Sequence, residues 1–134
     1  MRRRAPYPEL LSPAGDYDAL VAAVAGGADA VYLAGESFGA RAYAKNFSEP
    51  AIAEAIRYCH LFGVRLYVAV NTLITDKEMP KAVEYAKRLH RMGADALIVA
   101  DLGLVKRLAS EAPEIELHAS TQMGIHNLAG ADLA

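Results

Sequence analysis

One ten-residue pattern occurs twice: GGADAVYLAG at 26–35 and MGADALIVAD at 92–101. A looser third copy, FGVRLYVAVN, lies at 62–71. Each copy has a helix-stopping glycine and then an apolar, β-branched run. Helices that hand over to buried strands in this way imply βαβ units and a parallel sheet.

The rest of the chain follows the same alternation. Strands are expected at Leu10–Ser12, Ala30–Ala34, Arg65–Asn71, Ala96–Asp101 and Ile115–Ser120. Between them, apolar residues recur at helical spacing. Leu20, Val21 and Val24 mark a first helix, and Ile52, Ala55, Ile56 and Cys59 a second. Ala82, Ala86 and Leu89 mark a third, and Leu104, Val105 and Leu108 a fourth. Asp16 is expected to cap the first helix. Ser48, with Pro50 in the first turn, starts the second, and Thr75 or Asp76 caps the third.

Two architectures fit a parallel sheet of this kind: an open doubly wound sheet, or the start of a barrel. No Gly-x-Gly-x-x-Gly follows the first strand, so dinucleotide binding is unsupported. In the third strand Leu66, Val68 and Val70 share one face, and Arg65, Tyr67, Ala69 and Asn71 the other. The fifth sets Ile115, Leu117 and Ala119 against Glu116, His118 and Ser120. An aliphatic face suits a helix layer, and a mixed polar face suits a barrel interior near its open end. The expected fold class is therefore α/β, the first five β-α units of a TIM-like (β/α)8 barrel. A full barrel takes about 250 residues, so these 134 residues make an incomplete one. Residues 1–8, with Arg2, Arg3 and Arg4, are expected to form a basic, flexible N-terminus, and 9–134 the partial barrel. Exposed sheet edges would then invite association with another chain, or with a missing C-terminal half.

Composition narrows the function classes. The net charge of −2 argues against wrapping nucleic acid with the whole surface. No apolar segment follows the N-terminal arginines, and no run reaches membrane-spanning length. A single cysteine, Cys59, rules out an internal disulfide and an all-cysteine metal site within this chain. A cytoplasmic setting is the expectation.

Ligands of parallel α/β folds bind at the carboxyl ends of the strands. Those ends hold Asn71, Asp101 and the polar run His118, Ser120, Thr121 and Gln122. The connection after the second strand is the longest, and its Arg41, Lys45 and Asn46 suit a phosphate or carboxylate. The substrate-binding candidates are thus Arg41, Lys45, Asn71, Asp101, His118, Ser120 and Gln122. Each has a plainer role open to it. Asp101 can cap the fourth helix, Asn71 can close a turn, and Arg41 and Lys45 can be solvated loop charges. Cys59 sits on an apolar stripe and reads as a buried thiol. His118 and Ser120 share a strand face, but their Cβ atoms would be about 7 Å apart, too far for a Ser–His hydrogen bond. His118 with His126 lacks a third metal ligand.

Five segments, taken together, resemble one family. They are PELLSPAGDYDAL (8–20), GGADAVYLAGESFGARAYAKNF (26–47), VAVNTLI (68–74), GADALIVADLGLV (93–105) and HASTQMGIHN (118–127). In this order they resemble the N-terminal half of the collagenase-like peptidases, peptidase family U32. Ala34 is a mild departure, standing where a second glycine is common. The resemblance implies a barrel protein and a peptidase label, with peptide or RNA as substrate. It equally implies oxygen-independent hydroxylation of uridine in transfer RNA, cytidine in ribosomal RNA or a ubiquinone precursor. An iron–sulfur cluster is implied for the full-length protein, on cysteines downstream of the matched region. None is expected within this chain, and the fragment alone is expected to be inactive. A non-enzymatic binding module is the third reading.

Overall fold

A computed structural model describes residues 7–40 and 46–133. Five strands alternate with helices in chain order. They run β1 (Leu11–Pro13), α1 (Tyr17–Ala25), β2 (Ala30–Ala34), α2 (Glu49–Leu61), β3 (Arg65–Val70) and α3 (Met79–Met92). Then come β4 (Ala96–Val99), α4 (Leu102–Glu111), β5 (Leu117–Ala119), a single 3-10 turn (Thr121–Met123) and α5 (Leu128–Leu133). The strands form one parallel sheet in the order β1-β2-β3-β4-β5. A doubly wound sheet reverses its strand order at a switch point; this order does not reverse.

The two faces of the sheet differ as the alternation requires. Val31 and Leu33, Leu66, Val68 and Val70, and Leu97 and Val99 pack in one core with Leu20 of α1, Ile52 and Ile56 of α2, Leu89 of α3 and Leu104 of α4. All four long helices therefore cover the same face. Each fully buried Leu or Ile there contributes about 2 kcal/mol by transfer from water. The opposite, concave face carries only a small cluster: Ala30, Tyr67 and Ala96, with Tyr32 and Ile98 against it.

The repeated Gly-Ala-Asp has a physical function. The Leu10 N–H donates to Asp29 Oδ2 at 2.8 Å, and the Asp29 N–H returns to the Leu10 carbonyl at 2.9 Å. The second copy does the same, with Leu66 N–H to Asp95 Oδ2 at 2.8 Å and Asp95 N–H to the Leu66 carbonyl at 2.9 Å. Each aspartate thus clamps the start of its strand to the strand before. The preceding glycine supplies the turn: Gly93 ends α3 at φ 105°, a conformation that L side chains rarely adopt.

Helix starts follow the expected caps with one exception. Asp16 accepts from the Ala19 N–H at 2.8 Å, and Ser48 from the Ala51 N–H at 3.3 Å. For α3 the direction is reversed. Glu78 occupies the cap position, and its carboxylate accepts from Thr75 N–H and Oγ1. Asp76 does not cap.

Strand ends are shorter than the apolar runs suggested. Asn71, Asp101 and Ser120 fall just outside their strands because short polar side chains there bond to nearby backbone instead. Ile115 also lies outside β5, although it is buried. β1 is displaced by one residue and ends at Pro13, which an edge strand tolerates.

Candidate functional site

A cavity of about 740 Å³ opens over the concave face at the carboxyl ends of the strands. The register explains its floor. Ala34 pairs with Ala69, Ala69 with Ile98, and Ile98 with His118, so one layer runs across four strands with two small residues on its β2–β3 side. Tyr32 lines the cavity one layer below. Above the floor the polar part of the lining is Asn46, Asn71, His118, Ser120, Thr121 and Gln122, beside Pro13, Ala14 and Ala40.

Asn71, His118, Ser120 and Gln122 are thus brought together. Asp101 is not among the residues that line the cavity. Its Oδ1 accepts from the Leu104 N–H at 2.8 Å and its Oδ2 from the Ile74 N–H at 3.0 Å. It caps α4 and ties down the loop after β3. Arg41 and Lys45 lie outside the described residues.

The wall after β2 is held by backbone. Asn71 Oδ1 accepts from the Ala40 N–H at 3.1 Å. The Phe38 carbonyl accepts from Thr72 N–H at 3.3 Å and Thr72 Oγ1 at 3.2 Å. Phe38 itself has φ 56°, an uncommon conformation for a bulky residue. Gly35, which pairs with Phe47 at the mouth of this loop, cannot carry a side chain. An added Cβ would sit 2.1 Å from the hydroxyl of Tyr85.

Ser120 is buried, and its Oγ accepts from the Gln122 N–H at 3.3 Å as the cap of the 3-10 turn. His118 turns instead to Glu116, with Nε2 and Oε1 2.8 Å apart. A Ser–His nucleophile pair is therefore not formed. The His118 ring meets the Tyr67 ring edge-on, centroids 4.7 Å apart. Tyr67 donates its hydroxyl to Glu9 at 2.8 Å, and Glu9 pairs with Arg65. Burial pushes the Tyr67 phenol up, with Arg65 pulling against it. Sequence reasoning missed Glu9 and Tyr67. Their contacts span distant parts of the chain, and no local pattern signals them.

Cys59 faces the helix-side core, where burial, helped by nearby Asp95, pushes its thiol up to about 11. Among the described residues no group of three or more His, Cys, Asp or Glu can hold a metal ion. The residues present do not fit an iron–sulfur cluster. No described helix is long and apolar enough to cross a membrane.

A family model described as peptidase family U32 matches residues 15–134. The 23S rRNA 5-hydroxycytidine C2501 synthase of Escherichia coli K12 is 44% identical over 120 residues, which is 90% of this chain and 18% of that protein. The tRNA hydroxylation protein P1 of Bacillus subtilis 168 is 37% identical, over 90% of this chain and 28% of its own. A collagenase of Porphyromonas gingivalis W83 is 31% identical, over 89% of this chain and 28% of its own. The chain thus spans less than a third of each of these relatives. A solved U32 peptidase superposes with a TM-score of 0.67 at 14% identity, covering 91% of this chain and 52% of the other. That likeness shows the shared fold.

Proposed function

Because the chain belongs to peptidase family U32, we propose that it is the strand-end half of a (β/α)8 site through which a longer protein hydroxylates a pyrimidine of RNA. The observation that carries this reading is the 44% identity to an rRNA hydroxycytidine synthase over 90% of the chain, which takes in most of the sheet framing the cavity. The cavity's chemistry agrees with it. A volume of about 740 Å³ suits one nucleotide. The Ala34, Ala69 and Ile98 floor offers a flat apolar seat for a base. Asn71, Ser120 and Gln122 offer neutral donors and acceptors for its edge. Arg41 and Lys45, on the connection after β2, are assigned to the phosphate. Among the described residues no ligand set fits a redox metal, so the oxidation would draw on groups outside them.

Mass spectrometry of digested RNA from a deletion strain tests this. Loss of one 5-hydroxylated pyrimidine, restored by the full-length gene, is the expected result. An unchanged nucleoside profile overturns it.

Peptide hydrolysis is the second reading, favoured by the collagenase relative. Ser120 and His118 are each bonded elsewhere, so hydrolysis would need a different nucleophile. Cleavage of denatured collagen by the purified full-length protein, free of contaminating proteases, would favour it.

A further inference from the structure

We infer that Glu116 and His118 form a built hydrogen-bond acceptor in the cavity: His118 Nδ1 takes an N–H from the edge of a planar heterocycle seated on the Ala34, Ala69 and Ile98 floor. The inference rests on the RNA reading above and adds to it the atom that meets the base.

Three observations carry it. The strand period of two puts Glu116 and His118 on the concave face, with Nε2 and Oε1 2.8 Å apart. A carboxylate accepts only, so the ring proton that faces Glu116 is on Nε2, and in the tautomer with that single ring proton the lone pair is on Nδ1. Secondly, Nδ1 has no partner among the described residues, and the side chain lines the cavity beside Ile98 and Ser120. Thirdly, the ring is braced. Tyr67 meets it edge-on at an interplanar angle of 79°. The Tyr67 hydroxyl is held by Glu9, Glu9 by Arg65, and the Arg65 guanidinium lies 5.7 Å over the Tyr67 ring. An ordinary exposed carboxylate–histidine pair contributes little and needs no such brace. Here four side chains, Glu9, Arg65, Tyr67 and Glu116, brace the ring of His118. The ligand class follows from the donor required. The amino group of cytosine and the imide of uracil both present an N–H in the ring plane. A ring without one would be refused.

The test uses the full-length protein and a fluorescent single-stranded RNA carrying one cytidine, with N4,N4-dimethylcytidine as the control base. His118→Ala should weaken binding of the cytidine RNA by about three- to tenfold, the net worth of one hydrogen bond. His118→Asn, whose Oδ1 falls near the place of Nδ1, should recover most of that loss. A purely structural role gives no such recovery. The dimethylated base should weaken the wild type and leave His118→Ala unaffected. Unchanged thermal midpoints keep the variants comparable. Nitrogen-15 NMR of labelled histidine should find the His118 proton on Nε2, and Glu116→Gln should mix the two tautomers. A proton on Nδ1 in the wild type overturns the inference, as does His118→Ala binding as tightly as wild type. Wild-type protein that binds neither RNA overturns the function reading and this ligand together. Binding that ignores His118 overturns this inference alone.

Discussion

A single methyl group at Gly35 would meet the Tyr85 hydroxyl at 2.1 Å and Ile52 Cδ1 at 3.1 Å. The glycine is set by that approach, since Tyr85 is almost wholly buried and cannot swing away. The Tyr85 hydroxyl has no hydrogen-bond partner among the described residues, and burial pushes its phenol up to about 12. Two opposite outcomes follow. Gly35→Ala should cost about 1–3 kcal/mol through overpacking. Tyr85→Phe should be close to neutral or slightly stabilising, because it deletes a buried polar group that has no partner. Combined, Tyr85→Phe should relieve much of the Gly35→Ala penalty, because the closest contact is gone. Denaturant unfolding of the four proteins measures this cycle; strict additivity would show that the contact does not set the glycine. Cys59 gives a second prediction at this scale. With its thiol near 11, about one molecule in a thousand carries the thiolate at pH 8. Alkylation should be more than tenfold slower in the native than in the unfolded protein. Comparable rates would mean that α2 opens readily.

At the scale of elements, the two aspartate clamps join β1 to β2 and β3 to β4. Asp95 also receives His60 Nε2 at 2.8 Å, whereas among the described residues the Asp29 carboxylate holds only the Leu10 amide. Asp95→Ala should therefore cost more, about 1–3 kcal/mol, and Asp29→Ala about 1 kcal/mol or less. Equal losses in urea unfolding would discount the His60 contact. The helix layer has its own tie: Arg88 of α3 makes two bonds to Glu49 of α2. The hydrogen bond from Arg88 holds the Glu49 carboxyl below its ordinary 4.5. A depressed carboxyl stabilises the fold above its unfolded value and loses that contribution as pH falls through its folded one. Glu49→Gln should lower stability at pH 6–8, where the pair contributes, and flatten its fall below about pH 4.5; a variant as acid-labile as wild type would remove the pair from the acid response. These elements also show what the chain's pattern could and could not reveal. The alternation of strands and helices was legible because glycine stops and apolar runs are local. The ends were not, because Asn71, Asp101 and Ser120 each chose backbone partners that depend on neighbouring loops. The pocket wall at His118, Ser120 and Gln122 was legible from strand parity and the strand-end rule alone. Asp101 obeys the same rule, and its carboxylate turned to the α4 start and to Ile74. Nothing local marks Tyr67 as the brace for His118, because their contact crosses from β3 to β5.

For the molecule as a whole, the helices cover one face of the sheet, while among the described residues the other face and both outer strands stay open. β1 and β5 each pair on one side only within the five-strand order. Leu10 before β1 and Leu11 within it are exposed, as are Ile125, Leu128 and Leu133 beyond β5. Unpaired strand edges next to apolar side chains are a template for further pairing. The small, partly apolar concave face adds surface that a closed barrel would share among all its strands. Residues 1–134 expressed alone should therefore associate. Light scattering behind size exclusion should give a mass that rises with concentration, and a dye for exposed apolar surface should bind. Charging the β5 edge, for example with Ala119→Lys, should shift the population toward monomer by placing a charge where a new strand would dock. A concentration-independent monomer with a sharp unfolding transition would mean that these five strands close their own core, and that the open edges do not need the rest of a barrel.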